Sequence, residues 1–272
     1  MNNDQTIGII GTGNMGNALL KGFIESKSIS TKNIYAYDAD ENKVKNIASE
    51  LNIEKASTID ELVKVSDIIF FAVKPQNIEE LLRQIPTDNS TNKLFVSVLA
   101  GTPIETFEDY LGDNAKIIRL MPNTPCLVNA GMIALSKNNY VSDKESDFIK
   151  KLLEPTGELI EVDEKDMDAV TALSGSGPAY IFMIIQAMSN AGVKLGLTQE
   201  QSLKLATQTT YGAAKLVSST GEHPEILKDK VSSPGGTTIY ALHELEDEGL
   251  RGIIMNAVEA CYNRSIELKD DN

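Results

Sequence analysis

Along the first part of the chain, short apolar runs alternate with stretches whose apolar residues recur every three or four positions. TIGII (6–10), NIYAYD (33–38), DIIFFAV (67–73), KLFVSVL (93–99) and KIIRLM (116–121) predict strands. Most are apolar without alternation, the pattern of a parallel sheet covered on both faces. Between them, 14–26, 40–51, 77–85 and 103–111 predict helices, which gives the order of a doubly wound α/β domain. MIALS (132–136), a helix over 143–153 and GELIEV (157–162) are expected to complete the sheet. After residue 163 the strand signals stop, and helices are predicted at 164–173, 178–195, 198–219, 223–231, 236–247 and 249–268. The expected architecture is a Rossmann-type doubly wound sheet over 1–162, followed by an all-α domain over 163–272.

The helix that starts at Pro178 stands apart. AYIFMIIQAM (179–188) is apolar almost all round, a composition for burial rather than for a solvated face. No stretch is read as approaching the ~20 apolar residues of a bilayer crossing, so no membrane role is expected. A helical domain of about 110 residues has little interior in which to hide such a helix. A subunit interface is therefore the expected cover, and a homodimer the expected assembly.

Charge and rare residues narrow the function. The chain carries 25 Lys+Arg against 39 Asp+Glu, a formal net charge of −14. That disfavours extended contact with nucleic acid or anionic lipid, but one small anion can still be held by backbone amides. Cys126 and Cys261 form no spaced motif, and His223 and His243 are the only histidines. No disulfide framework and no metal site are expected. MNNDQTIGII has no basic run before its apolar residues, which leaves the cytoplasm as the expected address.

Gly11-Thr12-Gly13-Asn14-Met15-Gly16 follows the run TIGII and opens a predicted helix, the context in which G-x-G-x-x-G binds a dinucleotide. Gly11 permits the tight turn. Gly13 lets the backbone approach a pyrophosphate, and Gly16 lets the helix close on the strand. Asp38 ends the second predicted strand, where an acid takes the adenosine ribose 2′-hydroxyl and repels a 2′-phosphate. Lys43 and Lys45 follow closely, and Asp38 is also placed to cap the next helix, so the choice between NADH and NADPH stays open. Ala72-Val73-Lys74-Pro75, Val98-Leu99-Ala100-Gly101 and Met121-Pro122-Asn123-Thr124-Pro125 each leave a strand on the edge where open α/β sheets bind ligands. The first two are expected against the dinucleotide, and Asn123 is expected to reach a carboxamide or the substrate.

VSSPGGTTIYAL (231–242) holds more glycines and hydroxyls than a helix cap needs. The amides of Gly235, Gly236, Thr237 and Thr238 lie at or just before a helix start and lack intrahelical partners. With the hydroxyls of Ser232, Ser233, Thr237 and Thr238 they are expected to form a pocket for one small anion, a carboxylate ahead of a phosphate. Ser174-Gly175-Ser176-Gly177-Pro178 is similar, but there Ser176 as cap and Pro178 in the first turn explain most of the pattern.

GIIGTGNMG, FAVKP, RLMPNTP with LVNAG, SGSGPAY, GEHP and above all LKDKVSSPGGTTIYALHELE resemble, in order from about residue 6 to 268, the pyrroline-5-carboxylate reductase family. The resemblance implies reduction of 1-pyrroline-5-carboxylate to L-proline by NAD(P)H, the last step of proline synthesis. It implies a Rossmann domain joined to a helical dimerisation domain, with dimers able to assemble further. On the matching motifs, Ile10–Met15, Ala72–Pro75 and Val98–Ala100 would contact the dinucleotide. Ser233, Gly236, Thr237 and Thr238 would hold the substrate, in a helical domain whose contacts can come from the partner subunit. Some members of that family carry a small hydroxyl or basic residue near the position of Asp38.

A pyrroline carboxylate offers one carboxylate and one C=N bond. With its nitrogen already protonated, the iminium accepts hydride at C5 without an acid from the protein, so orientation and charge placement supply most of the rate. Thr238 is the expected hydroxyl on the ring nitrogen. Two other functions fit parts of the pattern. A β-hydroxyacid dehydrogenase joins the same two domain types but needs a proton donor, here Lys194 or Lys204. A dinucleotide-sensing protein without turnover needs an effector tail or recognition helix, for which the sequence gives no support.

Overall fold

The computed structural model describes residues 5–85 and 92–270. Eight strands form one sheet: β1 (Ile7–Ile10), β2 (Ile34–Tyr37), β3 (Glu54–Lys55), β4 (Ile68–Phe71), β5 (Leu94–Ser97), β6 (Lys116–Pro122), β7 (Gly131–Lys137) and β8 (Gly157–Glu161). Their order is β3-β2-β1-β4-β5-β6-β7-β8. Pairing is parallel from β3 to β6; β7 runs antiparallel to β6, and β8 parallel to β7. The helices of this part are α1 (Asn14–Glu25), α2 (Glu41–Leu51), α3 (Ile59–Val65), α4 (Ile78–Leu82), α5 (Ile104–Leu111) and α6 (Asp143–Leu153).

β1, β4 and β5 are buried at every position because successive side chains enter opposite cores, and Ser97 is the one polar side chain among them. Ile9, Phe70 and Val96 pack with Leu19 and Phe23 of α1 and Leu152 of α6. Their neighbours Ile10, Phe71 and Phe95 pack with Leu62 of α3, Leu82 of α4 and Phe107 of α5. The sequence pattern does not predict β3 or α3. The first is two exposed residues. The second rests on Thr58, whose side chain accepts from Glu61 N at 3.1 Å while Glu61 accepts from Ser57 N at 2.7 Å. That S/T-x-x-E signal was legible in the chain.

One ion pair ties the sheet to the segment after it. Arg119 on β6 is buried, and its Nη1 donates to Glu164 Oε1 at 3.2 Å. The same oxygen accepts from Ile104 N, the first residue of α5, at 2.6 Å. Removing one partner of a buried pair costs roughly 3–5 kcal/mol, and the exposure of Glu164, 33%, reduces that. Glu164→Gln is expected to lose about 2 kcal/mol, or roughly 4–8 °C in Tm. A thermal melt matching the parent protein would show that the pair holds nothing together.

After β8 the chain is helical: α7 (Met167–Val170), α8 (Gly177–Lys194), α9 (Gln199–Thr220), α10 (Pro224–Lys230), α11 (Thr237–Asp247) and α12 (Leu250–Asp270). Two compact units result. One holds the sheet, continues to Gly175 and takes in the chain again from Tyr262; the other is Ser176–Cys261. In the second unit α8 and α9 approach closely at Gly192, where a Cβ would lie 2.6 Å from Ser202 Oγ. Few of its side chains are buried. On α8, Phe182 and Met183 are 61% and 74% exposed.

The expectation that no stretch approaches a membrane-crossing length needs correction. A stretch of π-helix, Thr171–Gly175, joins α7 to α8. The helical path Glu164–Lys194 is therefore long and apolar enough, by length and composition, to cross a bilayer, with mean hydropathy 1.2 and 17% of its apolar stretch buried.

Candidate functional site

The turn between β1 and α1 shows why each of its glycines is there. Gly11 N donates to Tyr37 O at 2.8 Å, which ties the turn to β2. Gly11 has φ +103°, and a Cβ on it would stand 2.5 Å from the Ala72 carbonyl oxygen. A Cβ on Gly16 would stand 2.1 Å from the Gly11 carbonyl oxygen. Gly13 differs: its Cβ would meet nothing within 4 Å. Packing thus requires Gly11 and Gly16, whereas Gly13 keeps an open approach to the backbone. Gly13 is also the N-cap of α1 and supplies no side-chain cap, so the first-turn N–H groups of Asn14, Met15 and Gly16 have no helical acceptor.

Beside this turn opens a cleft of about 540 Å³, lined by Ile10, Gly11, Gly13, Asp38, Lys43, Ala72, Val73 and Lys74, with Leu81 and Gln84 at the α4 side. That volume lies within the usual range for a cofactor site. The open face at Gly13 and the unpaired amides fit a pyrophosphate at the helix N-terminus.

Asp38 does not cap α2; Asp40 does, its Oδ1 accepting from Asn42 N and Lys43 N at 3.0 and 3.3 Å. The competing cap role is thereby removed. Asp38 is engaged instead by the glycine turn: Thr12 N and Thr12 Oγ1 both donate to its Oδ2, at 2.7 and 2.8 Å. Its Oδ1 accepts from Asp40 N at 3.0 Å. Burial pushes the Asp38 carboxyl up, but the amides of Asp40 and Thr12, the Thr12 hydroxyl and the Lys43 charge outweigh it and hold the group below its ordinary value. The cleft brings Lys43 to Asp38 but not Lys45.

Other expected contacts lie elsewhere. Pro75 lines a neighbouring hollow of about 260 Å³ with Gly101, Thr102 and Arg83. Val98, Leu99 and Ala100 follow β5 but do not line the large cleft. The Leu99 side chain is buried in the core, and its N–H donates to Ser97 Oγ at 3.2 Å. Asn123 is not free to reach a ligand. Its Nδ2 donates to Ser174 O and Oγ at 3.2 and 3.4 Å, and its Oδ1 accepts from Met132 N at 2.9 Å. It latches β6 to β7 and to the π-helical stretch, so the expected ligand contact is withdrawn.

The turn before α11 is partly explained by its own geometry. Gly236 N donates to Ser233 O at 3.0 Å, and Gly235 has φ +67°. Pro234-Gly235 therefore forms the centre of a type II turn, which needs glycine at its second central place. A Cβ on Gly236 would lie 2.2 Å from Ser233 Oγ. The expectation of a Gly236 donor is corrected, because the turn takes that N–H. Ser232 is corrected too: its hydroxyl donates to Lys228 O at 2.9 Å.

What remains is specific. Gly236 is the N-cap of α11 and gives no side-chain cap. Among the described residues, no hydrogen bond reaches the N–H groups of Thr237 and Thr238 or their hydroxyls. The turn is framed by Arg251, which donates to Glu225 of α10 and to Glu246 of α11, both at 2.8 Å.

At SGSGPAY Ser176 stands at the N-cap of α8 with Pro178 in the first turn, as expected, but its side chain does not cap the helix. Ser176 precedes α8 in a helical conformation, φ −87° and ψ −18°, with no cap bond. Its Oγ accepts instead from Cys261 Sγ at 3.2 Å. His223 does cap α10, its Nδ1 accepting from Glu225 N at 3.3 Å.

Residues 164–268 match the family model described as pyrroline-5-carboxylate reductase dimerisation, and residues 6–101 match one described as NADP oxidoreductase, coenzyme F420-dependent. The chain is 40% identical over 265 residues to pyrroline-5-carboxylate reductase of Escherichia coli K12, covering 97% of this chain and 98% of that one. The chain belongs to the pyrroline-5-carboxylate reductase family. Two solved structures of the family superpose along the whole chain. That of Plasmodium falciparum pyrroline carboxylate reductase with NADP bound is 34% identical, with TM-score 0.88, and covers 98% of this chain and 99% of its own. That of pyrroline-5-carboxylate reductase from Coxiella burnetii is 32% identical, with TM-score 0.91, and covers 97% and 98%. The family likeness therefore takes in both the glycine turn at β1 and the turn before α11.

Proposed function

We propose that the chain reduces 1-pyrroline-5-carboxylate to L-proline, with NAD(P)H in the β1–α1 cleft and the substrate on the turn before α11. One observation carries the substrate half: the N–H groups of Thr237 and Thr238 begin a helix with no acceptor among the described residues. Paired N–H donors at a helix start suit a single carboxylate. Ser233 and Gly235 belong to the same grip, Ser233 through its hydroxyl and Gly235 through the backbone turn it permits.

The bound dinucleotide supplies the hydride. Everything else is placement. The α1 N-terminus and Gly13 hold the pyrophosphate. Ala72, Val73 and Lys74 bound the cleft, while Val98 and Ala100 offer backbone beyond β5. Thr237 and Thr238 amides fix the carboxylate, and the Thr238 hydroxyl bonds the ring nitrogen. A C–H bond forms at C5 as the C=N π pair becomes the nitrogen lone pair. The nitrogen keeps its proton, so no acid of tuned pKa is required and orientation supplies the rate.

The exposed apolar side chains of α8 are those a second copy would cover, and we assign the helical domain, 163–272, to substrate binding and homodimer formation, with 1–162 as the dinucleotide domain. Two free thiols, Cys126 and Cys261, suit a reducing, cytoplasmic address.

The test is nucleotide oxidation with pyrroline carboxylate, with 3-hydroxyacid substrates in their own direction, and with no substrate. Turnover with the imine alone is expected. Turnover with hydroxyacids would replace the assignment by a β-hydroxyacid dehydrogenase, and nucleotide binding without any turnover would point to a sensor.

A further inference from the structure

The hydrogen bonds around Asp38 leave it a defined capacity. An ionised carboxylate has about four acceptor places. Thr12 N and Thr12 Oγ1 fill those of Oδ2, and Asp40 N fills one on Oδ1. One place is left, enough for one hydroxyl. Thr12 itself is buried, 5% exposed, which shields the bond from its hydroxyl to Asp38 from solvent. The glycine turn and the acid at the end of β2 are thereby a single unit, tied three times: by Gly11 N on Tyr37 O and by both Thr12 donors.

We propose that Thr12 is a positioning residue that fixes Asp38 as an acceptor for one ribose hydroxyl, so that the cleft selects the dinucleotide lacking a 2′-phosphate. The inference rests on the reading that this cleft holds a nicotinamide dinucleotide. A phosphate at the 2′ position would meet an acid that cannot turn away, because Oδ2 is held on two sides. Lys43 and Lys74 also line the cleft and offset part of that repulsion. Lys43 lies 3.9 Å from Asp40 Oδ2, so its charge is shared with a second carboxylate. The balance stays with the hydroxyl form.

The experiment is calorimetric titration of the full-length protein with ADP-ribose and with 2′-phospho-ADP-ribose, which reads the adenosine half without turnover. The parent protein is expected to bind ADP-ribose at least ~10-fold more tightly, the scale of one hydrogen bond to a charged acceptor. Thr12→Val keeps the branched shape and the N–H donor but frees one side of Oδ2. It is expected to cut the ratio ~5-fold or more, chiefly by weakening ADP-ribose, while Thr12→Ser restores it. Circular dichroism melts confirm that each variant is folded. Equal affinities in the parent protein, or tighter binding of the phosphorylated form, overturn the selectivity. An unchanged ratio in Thr12→Val, or a Thr12→Ser that behaves like valine, overturns the role of the hydroxyl. If the parent protein binds neither compound, the assignment of the cleft itself falls.

Discussion

Gly16→Ala is expected to lower Tm by roughly 6–12 °C and to abolish dinucleotide binding, whereas Gly13→Ala should leave Tm unchanged and weaken only the binding. The two positions sit in one motif, three residues apart, and differ in what a methyl group would strike. At Gly16 the added Cβ would stand 2.1 Å from the carbonyl oxygen of Gly11. Nothing flexible can give way there. The oxygen belongs to the backbone of the turn, and that turn is held by Gly11 N on Tyr37 O and by Thr12 on Asp38. Relief requires α1 to move off β1, which opens the contacts of Leu19 and Phe23 with the sheet. Overpacking of this kind costs about 3 kcal/mol, and at roughly 2–4 °C per kcal/mol for a chain of this size the melting shift follows. At Gly13 the Cβ meets nothing within 4 Å, so the fold is indifferent. On the proposed reading a pyrophosphate approaches through this open space, and a methyl group there should cost ~10-fold or more in Kd. Melting curves and nucleotide titration on both variants give the test. A Gly13→Ala that binds like the parent protein would place the pyrophosphate elsewhere, and a Gly16→Ala with parent Tm would mean that the helix does not close on the turn.

The comparison of pattern and structure divides along physical lines. β1, β4 and β5 were legible because each is buried on both faces and so, Ser97 apart, carries no polar side chain. β3 was not, because two exposed residues at the sheet edge carry no pattern. The glycine turn was legible because close backbone contacts at Gly11 and Gly16 each demand a missing side chain at a fixed spacing, and Gly13 between them keeps the approach open. Asp38 was ambiguous for a different reason. Its position is a matter of sequence, but its role depends on which donors reach it, and Asp40 turned out to be the residue that caps α2. Thr12 was expected only as one of the dinucleotide contacts in Ile10–Met15, and nothing in the sequence showed that its hydroxyl donates to Asp38. Asn123 shows the limit most plainly. An amide after a strand at the ligand edge reads as a ligand contact, yet here Ser174 and Met132, 51 and 9 residues away in the chain, take both its ends.

The same separation of turn from ligand governs the helical unit. Of the glycines and hydroxyls in SSPGGTT, the type II turn accounts for Gly235, the Ser233 contact for Gly236, and the end of α10 for Ser232. The threonines are not accounted for in this way. Thr238→Ala is therefore expected to leave the folding stability within about 1 kcal/mol of the parent protein, because its hydroxyl makes no hydrogen bond among the described residues. Catalysis should fall much further: loss of one polar contact to a charged nitrogen costs ~1–3 kcal/mol, or roughly ten- to a hundredfold in kcat/KM for pyrroline carboxylate. The loss should appear in kcat as well as in KM, since a displaced C=N bond is misaimed after binding as well as before. Thr238→Ser keeps the hydroxyl and should recover most of the rate. Thr237→Ala retains the backbone donors and removes only an exposed side chain, so it should be milder than Thr238→Ala. Stopped-flow or steady-state nucleotide oxidation across the three variants measures the order. If Thr238→Ala matched the parent protein, or if Thr237→Ala were the more damaging, the ring nitrogen would have to be oriented by some other group, and the helix start would be left with the carboxylate alone.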